Sequence, residues 1–217
     1  SSEKEFDGVS LFGIGWNTVF EYVQTYYGSD DGFEFFGGTV NTKYLVSIGN
    51  EDDAFDWTEG WSGTNMGWYG KIDGTKKGNR GIEADNLDNA FLNTPISNPS
   101  ITNITLVGPG SSADAGIFTE NQGAKLRRGT KAMFENVVIK DFKTGFDIEH
   151  DETLSYVGIA LKVVDAMFEG VGSNAKGKKS DGTTGDVSTL LSGITTATGA
   201  GNGVAQPSWA NGWSIGF

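Results

Sequence analysis

"SDDGFEFFGG" (residues 29–38) and "EDDAFDWTEG" (residues 51–60) lie 22 positions apart and share one pattern of two acids, a small residue, an aromatic residue, an acid and a second aromatic residue. Alternation of apolar and polar residues is the period of a β-strand, and self-similarity at a fixed step indicates a repeat architecture. The four-residue pattern of a small, an apolar, a polar and an apolar residue occurs six times, beginning at Gly8, Gly32, Ala54, Gly81, Gly123 and Gly145.

A coil of about 22 residues containing short strands is typical of a parallel β-helix, in which equivalent strands stack about 4.8 Å apart. Further strands are predicted from Thr18, Thr42, Ile101 and Ala132, so each coil holds at least two. The predicted fold is all-β, a single-stranded right-handed parallel β-helix. The predicted inward column is Val9, Phe33, Phe55, Ile82, Ala124 and Phe146, and the outward column is Ser10, Glu34, Asp56, Glu83, Lys125 and Asp147.

The predicted organisation is one domain in four parts. The coils occupy residues 1–156, and residues 157–170 form an amphipathic helix, because Val157, Leu161, Val164 and Phe168 fall on one helical face. Residues 171–205 are rich in Gly, Ser and Thr and are expected to form a loop. Residues 206–217 bring back two Trp residues and are expected to close the structure.

Composition excludes several function classes. The net charge of −12 disfavours nucleic acid as a partner, because the phosphate backbone would be repelled. The absence of Cys excludes disulfides and thiol nucleophiles, and the single His150 excludes a His-based triad or a multi-His metal site. No apolar run approaches the roughly 20 residues that span a bilayer.

Five stretches carry a resemblance to a known family: "KEFDGVSLFG" (residues 4–13), "YGSDDGFEFFGGTVNTKYLVS" (residues 27–47), "EDDAFDWTEGWSG" (residues 51–63), "GAKLRR" (residues 123–128) and the terminal "WANGW" (residues 209–213). Together they resemble a group of Bacteroidetes cell-surface lipoproteins with a β-helix-like C-terminal region. The resemblance implies the extracellular face of the outer membrane or secretion, with any lipid anchor and further N-terminal sequence outside this chain. It carries over no catalytic residues.

The acidic residues Asp30, Asp31, Asp52 and Asp53 form the first candidate site. Hard oxygen ligands on adjacent coils suit Ca²⁺, which takes six to eight oxygens. The alternative is that they are solvated turn residues, since Asp favours turns.

The outward residues Glu34, Asp56, Glu83 and Lys125 form the second candidate site. Acids and a base on a β-helix face admit, by analogy, a polysaccharide lyase or a glycoside hydrolase. The alternative is a ladder of surface charges.

The aromatic residues Trp57, Trp61, Trp68 and Tyr69 form the third candidate site, because aromatic faces stack on sugars and anchor protein interfaces. The alternative is that they pack to seal the loops and the end of the coil. The favoured function is non-catalytic binding of a glycan or of an envelope protein, for example as an accessory subunit of an outer-membrane complex.

Overall fold

The chain forms a parallel β-helix, which confirms the predicted fold class. A computed structural model describes residues 5–75, 77–194 and 196–217. Its strands form two seven-stranded parallel sheets, and successive strands alternate between them. The first sheet holds β1 (Val9–Phe12), β3 (Phe33–Phe36), β5 (Phe55–Thr58), β7 (Ile82–Ala84), β9 (Gln122–Leu126), β11 (Thr144–Glu149) and β13 (Ser173–Lys178). The second holds β2 (Phe20–Tyr26), β4 (Thr42–Ile48), β6 (Thr64–Lys71), β8 (Ser100–Val107), β10 (Ala132–Lys140), β12 (Leu161–Glu169) and β14 (Leu191–Ile194).

The register of the first sheet is the one predicted from the repeat. Phe33 pairs with Val9 on one side and with Phe55 on the other, and the same column continues through Ile82 and Ala124. The small residue before each strand is needed for close approach: a Cβ on Gly81 would lie 2.5 Å from the carbonyl oxygen of Gly123 on the next coil. The small residue at the start of each strand therefore allows successive coils to stack closely.

Inward side chains stack on their equivalents in the next coil. The rings of Phe33 and Phe55 are 5.6 Å apart and nearly parallel, and Phe55 lies 4.4 Å from Trp68 across the core. This confirms the predicted aromatic stack. Burial of large apolar side chains at a roughly constant spacing supplies the main stabilisation of such a repeat.

Every strand of the second sheet bends at one residue in the left-handed region. Neighbouring strands place these residues in one column, so the bend passes from coil to coil. Non-glycine residues with positive φ are uncommon, and Asn and Asp tolerate this conformation best. The column consists of Tyr22, Tyr44, Gly67, Asn103, Asn136, Asp165 and Gly193.

The predicted helix over 157–170 is wrong. Leu161–Glu169 is β12, and the α-helix α1 is a single turn at Asp151–Leu154. The bend at Asp165 shifts the strand alternation by one residue, so the inward side chains of Leu161 and Phe168 are seven residues apart, a spacing that also occurs on one helical face. Val163 and Ala166 are also inward but do not share that face. Among the described residues, no helix is long and apolar enough to cross a membrane.

The repeat does not end near residue 151, and residues 171–205 are not simply a loop. β13 and β14 add a seventh coil, in which Ala175 pairs with Phe146 and Lys176 with Asp147. The strands predicted from the sequence also leave out β6, which lies in "SGTNMGWYGKIDGTKKGN". In both places small or left-handed residues interrupt the apolar alternation on which the prediction rested.

The C-terminal segment, residues 196–217, runs back over the outer side of the second sheet. Trp209 packs on Tyr44 with ring centroids 5.0 Å apart, and the hydroxyl of Tyr69 donates to the carbonyl of Val204. The side chain of Asn136 accepts from the backbone N–H of Thr198 at 2.8 Å. The segment therefore contacts the coils that contain β4, β6 and β10 and connects them.

The two ends of the first sheet differ. At one end, the C-terminal part of β13 is covered by the following chain, because the N–H of Gly185 donates to the carbonyl of Gly177. At the other end, β1 pairs only with β3 within the described residues, and Phe12 is 67% exposed.

Asn136 tests the column of bends. Asn136→Ala should lower the free energy of unfolding by about 2–4 kcal/mol, because alanine disfavours the left-handed region and the hydrogen bonds to Asn103, Thr198 and Gly199 are lost. Asn136→Gly keeps the backbone conformation and should cost only about 1–2 kcal/mol. Urea unfolding measures both, and equal losses would contradict a contribution from the bend.

Candidate functional site

The outward side of the first sheet, called here the charged face, carries ionisable side chains in almost every coil. The predicted outward column is confirmed, since Glu34, Asp56, Glu83 and Lys125 pair in register on successive strands. Strand pairing places equivalent side chains about 5 Å apart. Each charge therefore faces the charge of the next coil.

The first three coils hold an acid cluster, defined as Asp7, Asp30, Asp31, Glu34 and Asp52. Carboxylate oxygens of Asp30, Asp31 and Asp52 all lie within 4.8 Å of one another, and so do those of Asp7, Asp31 and Glu34. Three of the four predicted metal ligands thus converge, and their hard oxygens suit Ca²⁺.

Asp53, the fourth predicted ligand, lies beside this group but is paired with Arg80. Its carboxylate accepts from the guanidinium of Arg80 at 3.2 Å and from the backbone N–H of the same residue at 2.7 Å. Arg80 also pairs with Glu83 and with Glu120. This buried arginine balances the acids at the edge of the cluster.

The acid cluster holds protons more tightly than ordinary carboxylates do. Burial, together with the charge of Asp52, raises the pKa of Asp31 to about 8. Burial and a hydrogen bond with Asp7 raise the pKa of Glu34 to about 8. Burial and the neighbouring carboxylates likewise raise the pKa of Asp56 well above its ordinary value. Crowded carboxylates of this kind favour protonation or a bound cation.

Two members of the predicted catalytic set are neutralised by partners. Glu83 pairs with Arg80 and with Arg127, while Lys125 donates to Asp147 at 3.0 Å and lies 2.6 Å from Glu149. Although burial opposes its charge, the two carboxylates raise the pKa of Lys125. A lysine held in its charged form cannot act as a proton acceptor.

A groove of about 540 Å³, called here the lysine groove, lies over the last three coils of the charged face. Its ionisable lining consists of four lysines and two acids, a formal excess of two positive charges on a chain whose net charge is −12. Those lining residues are Lys125, Lys143, Lys176, Lys178, Glu120 and Asp147.

The wall of the lysine groove is the segment 111–121 between β8 and β9, and Gln122 at the start of β9 continues it. The amide nitrogen of Gln122 donates to Glu120, while its Oε1 is buried with no hydrogen-bond partner in the described part of the chain. Gln122 is only 8% exposed. An unsatisfied buried acceptor that lines a groove can take a hydrogen bond from a ligand.

The predicted aromatic site is corrected by the structure. Trp57, Trp61 and Trp68 are fully buried and Tyr69 is 2% exposed, so none presents a ring face to a ligand. The indole N–H groups of Trp57 and Trp68 donate to Thr130 and Thr42 inside the coil. Glycines around these residues permit close packing rather than an open loop.

Sequence reasoning missed Lys143, Lys176 and Lys178 as members of a site. Lys176 and Lys178 lie two residues apart in "SNAKGK", and this spacing puts both on the outer side of β13. The alternation of inward and outward residues could have revealed this strand, but its inward residues, Ala175 and Gly177, are too small to stand out as apolar positions. His150 is half-buried, and its Nδ1 accepts a hydrogen bond from the backbone N–H of Arg128.

Comparison with known proteins adds one finding. The family model described as a pectate-lyase like beta helix domain matches residues 1–214. No curated protein and no solved structure matches the chain.

The raised pKa values make stability depend on pH. Ordinary carboxyl groups titrate near pH 4. Between about pH 4 and pH 8 the folded protein therefore holds more protons on Asp31 and Glu34 than the unfolded chain does, so the free energy of unfolding falls as pH rises through this window. Urea unfolding at low salt without divalent ions should show this fall between pH 5 and pH 8.

Asp31→Asn should reduce that dependence, because the amide keeps an acceptor for the Asp53 N–H and has no proton to lose. Asp181→Asn, a change on an exposed loop, should leave the dependence as it is. If the free energy of unfolding of the wild-type chain rose between pH 5 and pH 8, this would contradict the crowding of the acid cluster.

Proposed function

The chain belongs to the family of pectate-lyase-like β-helix domains, and from this premise we propose that it binds an anionic polysaccharide in the lysine groove. The observation that carries the proposal is the local reversal of charge. A strongly acidic protein concentrates four lysines in one groove, and that groove follows the stacking direction of the coils. The positive groove attracts polyanions, whereas the acidic remainder of the surface repels them.

The lysines suit a ligand with repeated negative charges. Lys125 and Lys176 flank Asp147 on neighbouring strands, and Lys178 extends the row on β13. Lys125 is buried between Asp147 and Glu149. Lys176 and Lys178 pair with the same two acids but are half-exposed, so they can also meet a ligand as point charges. Hydroxyl groups of a glycan would donate to Gln122 Oε1.

Binding without catalysis is the function that this geometry supports best. A lyase needs a base that can lose its proton near the substrate. Lys125 is kept charged by Asp147 and Glu149, and Glu83 is held by two arginines. The groove thus offers charge complementarity without a free base of the predicted set.

The surroundings of the protein follow from the sequence resemblance and are part of the proposal. The chain would act at the extracellular face of the outer membrane or after secretion, attached only by a lipid anchor outside these residues. An envelope protein, such as an outer-membrane uptake complex, would receive the bound glycan. Nucleic acid is not a proposed partner, because the family to which the chain belongs points to a carbohydrate.

A second candidate function is hydrolysis or elimination on a glycan by the acid cluster. One observation favours it: Glu34, half-buried beside Asp7, has a pKa raised to about 8 and holds a proton at neutral pH, as a general acid requires. Asp56 lies on the neighbouring strand and would be the second carboxyl group.

A Ca²⁺ ion in the acid cluster is the cofactor that we propose. Asp30, Asp31 and Asp52 would supply three carboxylate oxygens, and the ion would offset the repulsion that raises the pKa of Asp31. Its charge would also make that end of the face less repulsive to a polyanion. The chemistry of the donor set fits a hard cation.

Polygalacturonate binding tests the lysine groove. Wild-type protein should bind it with an affinity that falls as salt rises, and Lys176→Gln with Lys178→Gln should lower the affinity by about tenfold, since two contacts of about 0.7 kcal/mol are lost. Isothermal titration calorimetry at two salt concentrations measures both effects.

A matched control removes two cations from the second sheet, Lys43→Gln with Lys162→Gln, and should bind as wild type does. Equal binding by the groove variant and the control would contradict the groove. Cleavage of polygalacturonate by the wild-type protein but not by Glu34→Gln would instead support the second candidate function.

Thermal unfolding with millimolar Ca²⁺ at pH 8 tests the cofactor. A bound ion should raise Tm by about 2–4 °C for each kcal/mol of binding, and Asp31→Asn with Asp52→Asn should abolish the rise. Asp181→Asn with Asp186→Asn removes two exposed acids elsewhere and should keep it. An unchanged Tm in the wild-type protein would make the paired aspartates turn residues only.

A further inference from the structure

A second cavity, called here the Phe91 pocket, is separate from the charged face. Its volume is about 580 Å³, and it lies between α1 and the segment Asp88–Asn93 that follows β7. It shares no lining residue with the lysine groove. Neither the predicted sites nor the proposed function uses it.

One oxygen in the Phe91 pocket is without a partner. Oε2 of Glu152 is buried, and no described residue donates a hydrogen bond to it. The other nearby carboxylate, on Asp88, is paired with Arg128 at 2.8 Å. A buried carboxylate oxygen without a donor is costly, so a ligand that supplied an N–H donor would gain from relieving it.

Most of the remaining wall is apolar, and Asn89 and Asn93 are its polar members. Ala90, Phe91 and Leu92 line the cavity, and Leu92 is 58% exposed to solvent. The ring of Phe91 is held by the imidazole of His150, with centroids 4.7 Å apart. Aromatic rings attract cations as well as hydrocarbon, so this wall favours a charged group carried on an apolar stem.

We propose that the Phe91 pocket binds a primary ammonium group on a linear apolar stem, the chemistry of a lysine side chain. The ammonium group donates to Glu152 Oε2, and the stem packs on Phe91 and Leu92. An ammonium group has three donors and no acceptor, which matches a site whose free group is an acceptor. A sugar amine has the same charged group but a polar body, which the apolar wall does not match.

Ligand-observed NMR with the intact chain tests the pocket. Nα-acetyl-lysine N-methylamide and n-pentylammonium should both bind with Kd in the millimolar range expected for small ligands. The neutral 1-pentanol and the amino sugar glucosamine should each bind at least about tenfold more weakly, because one lacks the charge and the other the apolar stem.

Variants separate the charge from the apolar wall. Glu152→Gln should weaken pentylammonium binding by about tenfold, and Leu92→Ser, at an exposed position that tolerates change, should weaken it less. Glu135→Gln on the exposed side of the second sheet is the control and should bind as wild type does. Circular dichroism confirms that each variant is folded.

Four outcomes would overturn the proposal. The first three are no detectable binding of either ammonium probe, equal binding of pentylammonium and pentanol, and unchanged pentylammonium binding by folded Glu152→Gln. Tighter binding of glucosamine than of the lysine derivative would also overturn it, since the apolar stem would then contribute nothing. Failure of the polygalacturonate experiment would leave the pocket unaffected, because the two sites share no residues.

Discussion

Hydrogen bonding between parallel strands of successive coils is the constraint on which the rest of this structure depends. It sets a spacing of about 4.8 Å along the stack and places each side chain above its counterpart in the next coil. Inside the coil this arrangement is favourable, because Phe33 and Phe55 gain from stacking. On the outside it brings like charges together, and the protein has to compensate for them.

The charged face shows two forms of compensation. In the later coils acids alternate with bases, so that Lys125 lies between Asp147 and Glu149 and Arg127 reaches Glu83. In the first three coils acids stack on acids, and the compensation is a raised pKa at Asp31 and Glu34. The same stacking rule thus gives a positively charged groove at one end of the face and a proton-holding or cation-holding cluster at the other.

Much of the fold could be predicted from the sequence, because the Gly-started repeat encodes the register locally. The six positions from Gly8 to Gly145 predicted the pairing of the first sheet through Phe146. β6 escaped detection because Gly67 and Gly70 leave few apolar residues in alternation. β12 was mistaken for a helix because Leu161 and Phe168, on either side of the bend at Asp165, are seven residues apart. The lysine groove could not be predicted, since its wall comes from the insert before Gln122, whose path over the sheet depends on tertiary contacts such as Arg80 with Glu120. The buried tryptophans were misjudged because composition alone does not distinguish a loop from a close-packed corner.

The unequal edges of the first sheet give the molecule a direction. A strand edge can add a new strand only where its backbone groups are free, and at Gly177 in β13 the outer carbonyl is already bonded to Gly185. Among the described residues no strand lies beyond β1. The two edges of the first sheet therefore present different surfaces, and strand addition is hindered at the C-terminal part of β13.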